Sequence, residues 1–369
     1  MIELPRPVRH SDIVNLVSAR IRNSVSTGLA NGGLLTPSAF EAIVDAVREL
    51  SPSTRSVLDR FSQSRRQRIE SLPPRFRQIF AYQKEAVATA LAFAEMDRHL
   101  ILQWDPPSTA VVAISPAPLS FLDGLPFART REDAMIVNDL MKVPGFELVQ
   151  TLPYGAARFE DEVGRRLTVI NANRAGLEGT LGADLIYYNE TYKAFVIVQY
   201  KPMEQIEHGS IFRFPNAQLT REIGRMTTIL ENLKDRPPNG MRSGFRMMDN
   251  PFFIKLCPRV IFDPDDISLI RGMYLPLDYW QLIETDPTLV GPRGGRMVTF
   301  ENVGRYFDNT EFIPLMTKGW VGTTPIQSDV LRPLIQEMIQ MNRPLTIAVK
   351  TEELTRAAVR GHRRRARNA

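Results

Sequence analysis

Two short apolar runs with polar groups at their ends constrain this chain more than any other feature. Asp184 opens the first, Leu185-Ile186-Tyr187-Tyr188. The second, Ala194-Phe195-Val196-Ile197-Val198, leads straight into Gln199-Tyr200-Lys201. Each run has the length and the β-branched, aromatic character of a strand, and Asn189 to Lys193 between them has turn character. Strand side chains alternate faces, so Gln199 and Lys201 project to the same side. If the strands form a hairpin, Asp184 at the start of one lies near Gln199 and Lys201 on the other. A carboxylate, an amide oxygen and an ammonium then share one corner of a sheet, a combination suited to a divalent cation and a phosphate.

This Asp184, Gln199-x-Lys201 pattern resembles the core motif of the PD-(D/E)xK restriction-endonuclease-like nucleases. Within them it is most similar to the Mrr-type restriction enzymes, in which Gln-x-Lys replaces Glu-x-Lys. The lead-in Gly179-Thr180-Leu181-Gly182-Ala183-Asp184 is also similar to theirs. The resemblance covers at most a quarter of the chain. It implies an α/β fold with an αβββαβ core, Mg²⁺ or Mn²⁺ as cofactor, DNA as substrate, and a setting in restriction or anti-phage defence. In that reading Asp184 ligates the metal, Gln199 offers its amide oxygen to metal or water, and Lys201 meets the phosphate or the attacking water. A single carboxylate is a sparse site for a hard cation, so a second acid is expected. The resemblance points to a glutamate on the helix before the core strands, where Glu132 is the match. Glu178, six residues before Asp184, is the rival; Glu160 and Glu162 fall in an apparent hairpin, and Asp133 and Asp139 lie on the same helix as Glu132.

Around this motif the chain divides, by its periodicity, into a helical region over 1–98, a nuclease-like core over 99–262, a Pro- and Gly-rich C-terminal elaboration over 263–350, and a basic tail over 351–369. In the first region Ser11-Asp12 caps a helix through Ile21, Gly28 to Gly33 breaks the pattern, and Thr36-Pro37 starts another helix. Pro73-Pro74 precedes a long helix from Phe76 to Leu91. In the core, Leu100 to Trp104 and Ala110 to Ile114 read as strands, Thr130 to Met141 as a helix, and Phe146 to Leu152 as a strand. Ala157–Glu160 and Arg166–Ile170 read as a hairpin. Residues 202–214 look irregular. Asn216 to Leu233 forms an amphipathic helix buried through Leu219, Ile223, Met226, Ile229, Leu230 and Leu233. Gln218, Arg221 and Arg225 share its other side as candidate nucleic-acid contacts. Phe252–Leu256 or Val260–Phe262 supplies the last core strand.

Composition removes several classes. The 369 residues include a single cysteine, Cys257, which excludes an internal disulfide framework and a cysteine zinc site. Four histidines without metal-ligand spacing argue against a zinc enzyme. Neither a long apolar span nor a signal peptide is present, so a cytoplasmic protein is expected. Gly291-Pro292-Arg293-Gly294-Gly295-Arg296 lacks the Gly-Lys-Ser/Thr of a phosphate-binding loop. The net charge of +5 is modest, and six arginines lie between Arg356 and Arg367, so the rest of the chain is near neutral. The competing reading is a non-catalytic nuclease-like protein that binds nucleic acid or scaffolds a complex, since Gln199 is uncharged. A third is an effector whose helical N-terminal region senses a partner, with a homodimer or a defence-complex subunit meeting the chain there.

Overall fold

The computed structural model describes residues 8–32, 35–106, 120–129, 154–161, 164–172, 184–234, 241–259, 261–291, 294–331 and 345–352. The expected helix over 130–141, the strands at 110–114 and 146–152, and Glu132, Asp133, Asp139, Glu162 and Glu178 lie outside these residues, as does the basic tail beyond 352. The chain separates into two compact units, Met1–Leu72 and Pro73–Ala369.

The first unit is helical: α1 (His10–Leu16), α2 (Arg22–Asn31), α3 (Pro37–Leu50) and α4 (Pro52–Glu70). The expected continuous helix through Ile21 stops at Leu16, because Val17 is extended. Gly28 is not the break. It lies inside α2, and Gly32 ends that helix with φ +71°, a left-handed conformation glycine adopts without Cβ strain. Thr36 caps α3, its hydroxyl accepting the N–H of Ala39, with Pro37 in the first turn. Ile13, Val17, Val25, Ala39 and Ala46 form this unit's small core.

The second unit is an α/β structure around a mixed sheet. Its strands are β1 (Ala128–Arg129), β2 (Tyr154–Glu160), β3 (Arg165–Ala172), β4 (Asp184–Asn189), β5 (Ala194–Ile206), β6 (Gly209–Phe214), β7 (Phe252–Pro258), β8 (Met273–Pro276), β9 (Arg296–Val298) and β10 (Leu345–Glu352). The order runs β1-β2-β3-β10-β4-β5, where β7 and then β8 continue beside β5; the far half of β5 pairs instead with β6, and β6 with β9. β4 and β10 are parallel, as are β5 and β7; the other pairings are antiparallel.

Helices cover both faces. On one side α6 (Ala217–Lys234) and α7 (Leu277–Thr285) pack over Ile186, Tyr188, Ile197 and Ile254. Asn216 caps α6 through hydrogen bonds from the N–H groups of Gln218 and Leu219. Leu219, Ile223, Met226, Leu230 and Leu233 then recur at helical spacing and are all buried. On the other side α5 (Pro74–Phe93) and α8 (Asn309–Thr317) meet the sheet through Phe93 on Tyr187 and through Phe312 on Phe253 and Tyr274. A short helix, α9 (Pro325–Val330), lies beside β5. Each fully buried large side chain here contributes about 1.5–3 kcal/mol of transfer free energy, so this double-sided core supplies most of the driving force.

Several expectations need correction. Arg98–Gln103 is a 3-10 helix, not the strand read from Leu100-Ile101-Leu102. Residues 202–214 are regular: β5 continues to Ile206 and returns as β6. Ile261 and Phe262 are not in a strand, and Val260 lies outside the described residues; the other candidate, Phe252–Leu256, is β7 at Phe252–Pro258. Helix α5, grouped by sequence with residues 1–98, belongs to the sheet-bearing unit. β10 also joins residues assigned to the C-terminal elaboration and tail into the middle of the sheet. The hairpin β2–β3, the strand pair β4–β5 and helix α6 stand as expected.

Candidate functional site

The register of β4 and β5 builds the corner. Asp184 is the Cα partner of Gln199 in the antiparallel pair, and Leu345 of β10 lies on its other side. Gln199 is flanked on both edges, by Asp184 and by Ile254 of β7, and two residues along β5 Lys201 pairs with Leu256 of β7. Gln199 and Lys201 are each 6% exposed. The Gln199 amide makes no hydrogen bond with any described residue, so its oxygen has unused acceptor capacity.

Helix α6 brings the partner for Lys201. The Glu222 carboxylate Oε2 lies 2.5 Å from Lys201 Nζ, with both side chains nearly excluded from solvent. Gln218, one turn earlier, donates its amide N–H to Glu222 Oε1 at 3.0 Å. A charged pair removed from water is costly unless its remaining valences are met, and Gln218 meets one of them. Among the described residues Lys201 has this single partner, leaving two ammonium hydrogens for an incoming anion. Glu222 was not among the residues singled out by the motif. Its signal in the sequence is an acid inside an apolar stripe, three residues after Leu219 and four before Met226, where a solvated glutamate has no place.

The other expected residues are dispersed. Gln218 is half-buried against Glu222 rather than open to solvent. Arg221 and Arg225 lie further round α6, where with Gly224 and Thr228 they line a shallow groove of about 360 Å³. Glu160 is exposed at the end of β2 and lies 3.5 Å from Arg158, away from the corner in the strand order. Among the described residues no group of three or more His, Cys, Asp or Glu side chains is placed to hold a metal ion.

Behind the corner, on the opposite face of β5, lies a second polar cluster. Tyr200 pairs with Lys255 of β7, and Lys255 Nζ donates to Glu85 Oε1 of α5 at 2.7 Å and to the Tyr200 hydroxyl at 3.1 Å. The ammonium also sits 4.8 Å from the ring centres of Tyr200 and Tyr274. The other Glu85 oxygen accepts the N–H of Ile270. Burial alone would pull the Lys255 pKa down, yet the adjacent Glu85 carboxylate overrides it and the net shift is upward. Burial pushes the Tyr200 and Tyr187 hydroxyls well above their ordinary value, and the Cys257 thiol up to about 12. This cluster is closed to solvent and serves to lock α5 onto the sheet.

No protein family, curated protein or solved structure matches this chain. The structure defines the class, an α/β protein with a mixed sheet, and no described helix is long and apolar enough to cross a membrane.

Proposed function

We propose that the protein is a metal-dependent nuclease that hydrolyses DNA phosphodiester bonds at the Asp184–Gln199–Lys201 corner. The observation that carries this reading is Lys201, buried beside the Asp184–Gln199 register pair and held by a buried acid, Glu222, from α6. The residue types suit a hard cation: Asp184, by its register beside Gln199, and Glu222 would supply carboxylates, and Gln199 an amide oxygen uncommitted among the described residues, all of the kind Mg²⁺ or Mn²⁺ prefers. Bound there, such an ion would neutralise charge on the scissile phosphate and acidify a water. Lys201 would hold the phosphate with its two remaining N–H groups, exchanging part of its contact with Glu222 for the substrate. Arg221 and Arg225 would carry the DNA backbone along α6, contributing affinity rather than sequence choice. In this proposal Glu222 takes the role of second acid that the resemblance gives to Glu132, with Glu178 as its rival. Restriction or anti-phage defence belongs to the same proposal and rests on the resemblance; a cytoplasmic setting rests on the single cysteine, and a partner or second copy on the N-terminal helices rests on that helical region.

The purified protein should nick or cut plasmid DNA with Mg²⁺ or Mn²⁺ and not with EDTA. Asp184→Ala should reduce cutting about a hundredfold or more, the scale of a lost transition-state charge contact. Lys201→Ala and Glu222→Gln should do the same, with circular dichroism reporting on the fold. Cutting that survives Asp184→Ala and Lys201→Ala would remove the assignment. A second reading, a nuclease-like protein that binds DNA without cleaving it, is favoured by the engagement of both Glu222 oxygens, one by Lys201 and one by Gln218. Retained, Arg221- and Arg225-dependent DNA binding with no cutting in either metal selects that alternative.

A further inference from the structure

Away from this corner, a cavity of about 660 Å³ opens beside the first turn of α7. Tyr279, Tyr306, Phe307 and Met248 give it an apolar and largely aromatic wall, and Asp278 and Arg305 are its charged members. It is set apart from the corner along β7: Pro276, on its wall, pairs with Phe253, whereas Lys201 pairs with Leu256.

The wall is preorganised. The Tyr279 hydroxyl donates to the Val303 carbonyl at 2.9 Å. Phe307 exchanges two backbone hydrogen bonds with Tyr274 of β8, and Tyr306 packs edge-on against Phe300. Gly304, with φ +81°, lets the loop pass close to Tyr279; a Cβ there would lie 3.1 Å from the hydroxyl. Asp278 Oδ1 accepts from the Asn250 amide and from the Tyr279 N–H, which aims the carboxylate and leaves Oδ2 without a donor among the described residues. Arg305 has no side-chain hydrogen bond and no ion pair among the described residues; its guanidinium sits 5.6 Å over the Tyr279 ring, with its N–H edges available. An uncommitted carboxylate oxygen and an uncommitted guanidinium thus border one aromatic cavity without neutralising each other.

A ligand that satisfies all of this has a flat apolar body, N–H or O–H donors for Asp278, and an anionic group for Arg305. We infer that the cavity binds one unpaired nucleotide, its base against Tyr279 and Tyr306, its phosphate on Arg305, and an exocyclic amine or sugar hydroxyl on Asp278. Aromatic side chains stack on bases irrespective of sequence, and a guanidinium fork fits two phosphate oxygens. A carboxylate accepting from a base amino group supplies selectivity. A lone aromatic amino acid meets the charges but leaves much of the volume to water. The nucleotide can come from solution or from a single strand of nucleic acid; the chemistry is shared. This goes beyond the cleavage reading and does not depend on it.

Isothermal titration of the full chain in EDTA, where no cleavage occurs, tests it. The probes are AMP, CMP, GMP and UMP, the four matching nucleosides, tryptophan, and a short DNA as single strand and as duplex. Saturable binding of a mononucleotide, or of the single strand in preference to the duplex, is expected. The first identifies a free nucleotide as the source, the second an unpaired position in a strand. Arg305→Ala should weaken that binding about tenfold or more, and removing the phosphate from the ligand should cost a similar factor. Tyr306→Leu, which keeps apolar bulk but removes the ring, should also weaken it, whereas Tyr306→Phe should not. Unchanged melting temperatures certify the fold of each variant. Absence of binding by every nucleotide probe, binding indifferent to Arg305→Ala and Tyr306→Leu, or binding of tryptophan alone would overturn the inference.

Discussion

At the scale of single residues, buried charge on both faces of β5 decides what the fold tolerates. Lys255 and Glu85 are essentially inaccessible and joined by a 2.7 Å contact. Removing one partner strands the other charge away from water, at a cost of about 3–5 kcal/mol, whereas removing both charges is far milder. Lys255→Met is therefore expected to lower the unfolding free energy by about that amount in urea titrations. Adding Glu85→Gln should recover more than half, because glutamine still accepts the Ile270 N–H. Strictly additive losses would refute this account of the cluster. The same physics explains what was readable in the sequence. Asp184, Gln199 and Lys201 stood out because polar groups ended apolar strands. Glu222 did not, because an acid within a helix's apolar stripe acquires meaning only from a cation on another element. Glu85 escaped notice for the same reason.

At the scale of elements, the strand pair β4–β5 was legible because alternation, length and turn chemistry agreed. The continuation of β5 was not, since Pro202 and the polar run Glu204 to His208 look like loop, and only pairing with β6 and β7 makes them regular. Leu100-Ile101-Leu102 misled in the opposite direction: a short apolar run has no period long enough to separate a strand from a buried helical turn. The connection between β4 and β5 carries a strain that can be relieved. Lys193 has φ 49°, which costs an L-residue about 1–2 kcal/mol. After allowance for the looser unfolded chain, Lys193→Gly should raise stability by about 0.5–1 kcal/mol, read as a higher urea midpoint at unchanged slope. Glu95 has φ 58°, but its carboxylate holds Lys318 at 2.7 Å and Lys350 at 3.1 Å. Glu95→Gly should consequently gain less than Lys193→Gly; an equal or larger gain would mean those contacts contribute nothing.

At the scale of the whole molecule, the division at Leu72 predicts independence. The sheet-bearing unit has its own double-sided core, and the helical unit has a small one built on Ile13, Val25 and Ala39. A chain of residues 73–369 should fold cooperatively, with a melting temperature within a few degrees of the corresponding transition in the full chain. A molten fragment lacking a thermal transition would show that the units do not fold separately. The sequence hid this boundary because α5 shares the helical period of the segments before it, and only its docking on β3 and β10 assigns it to the sheet.

The position of β10 has a consequence in time. This strand, from the end of the described chain, inserts between β3 and β4 and lies directly against Asp184. While the polypeptide is being made, the hairpin bearing Asp184, Gln199 and Lys201 emerges with one flank open, and 151 further residues separate Lys201 from Glu352. At ordinary elongation rates that interval is on the order of ten seconds. A ribosome-bound chain therefore carries the proposed catalytic groups before it carries the sheet that arranges them, so any hydrolytic capacity is withheld until β10 has been made and has paired with β3 and β4.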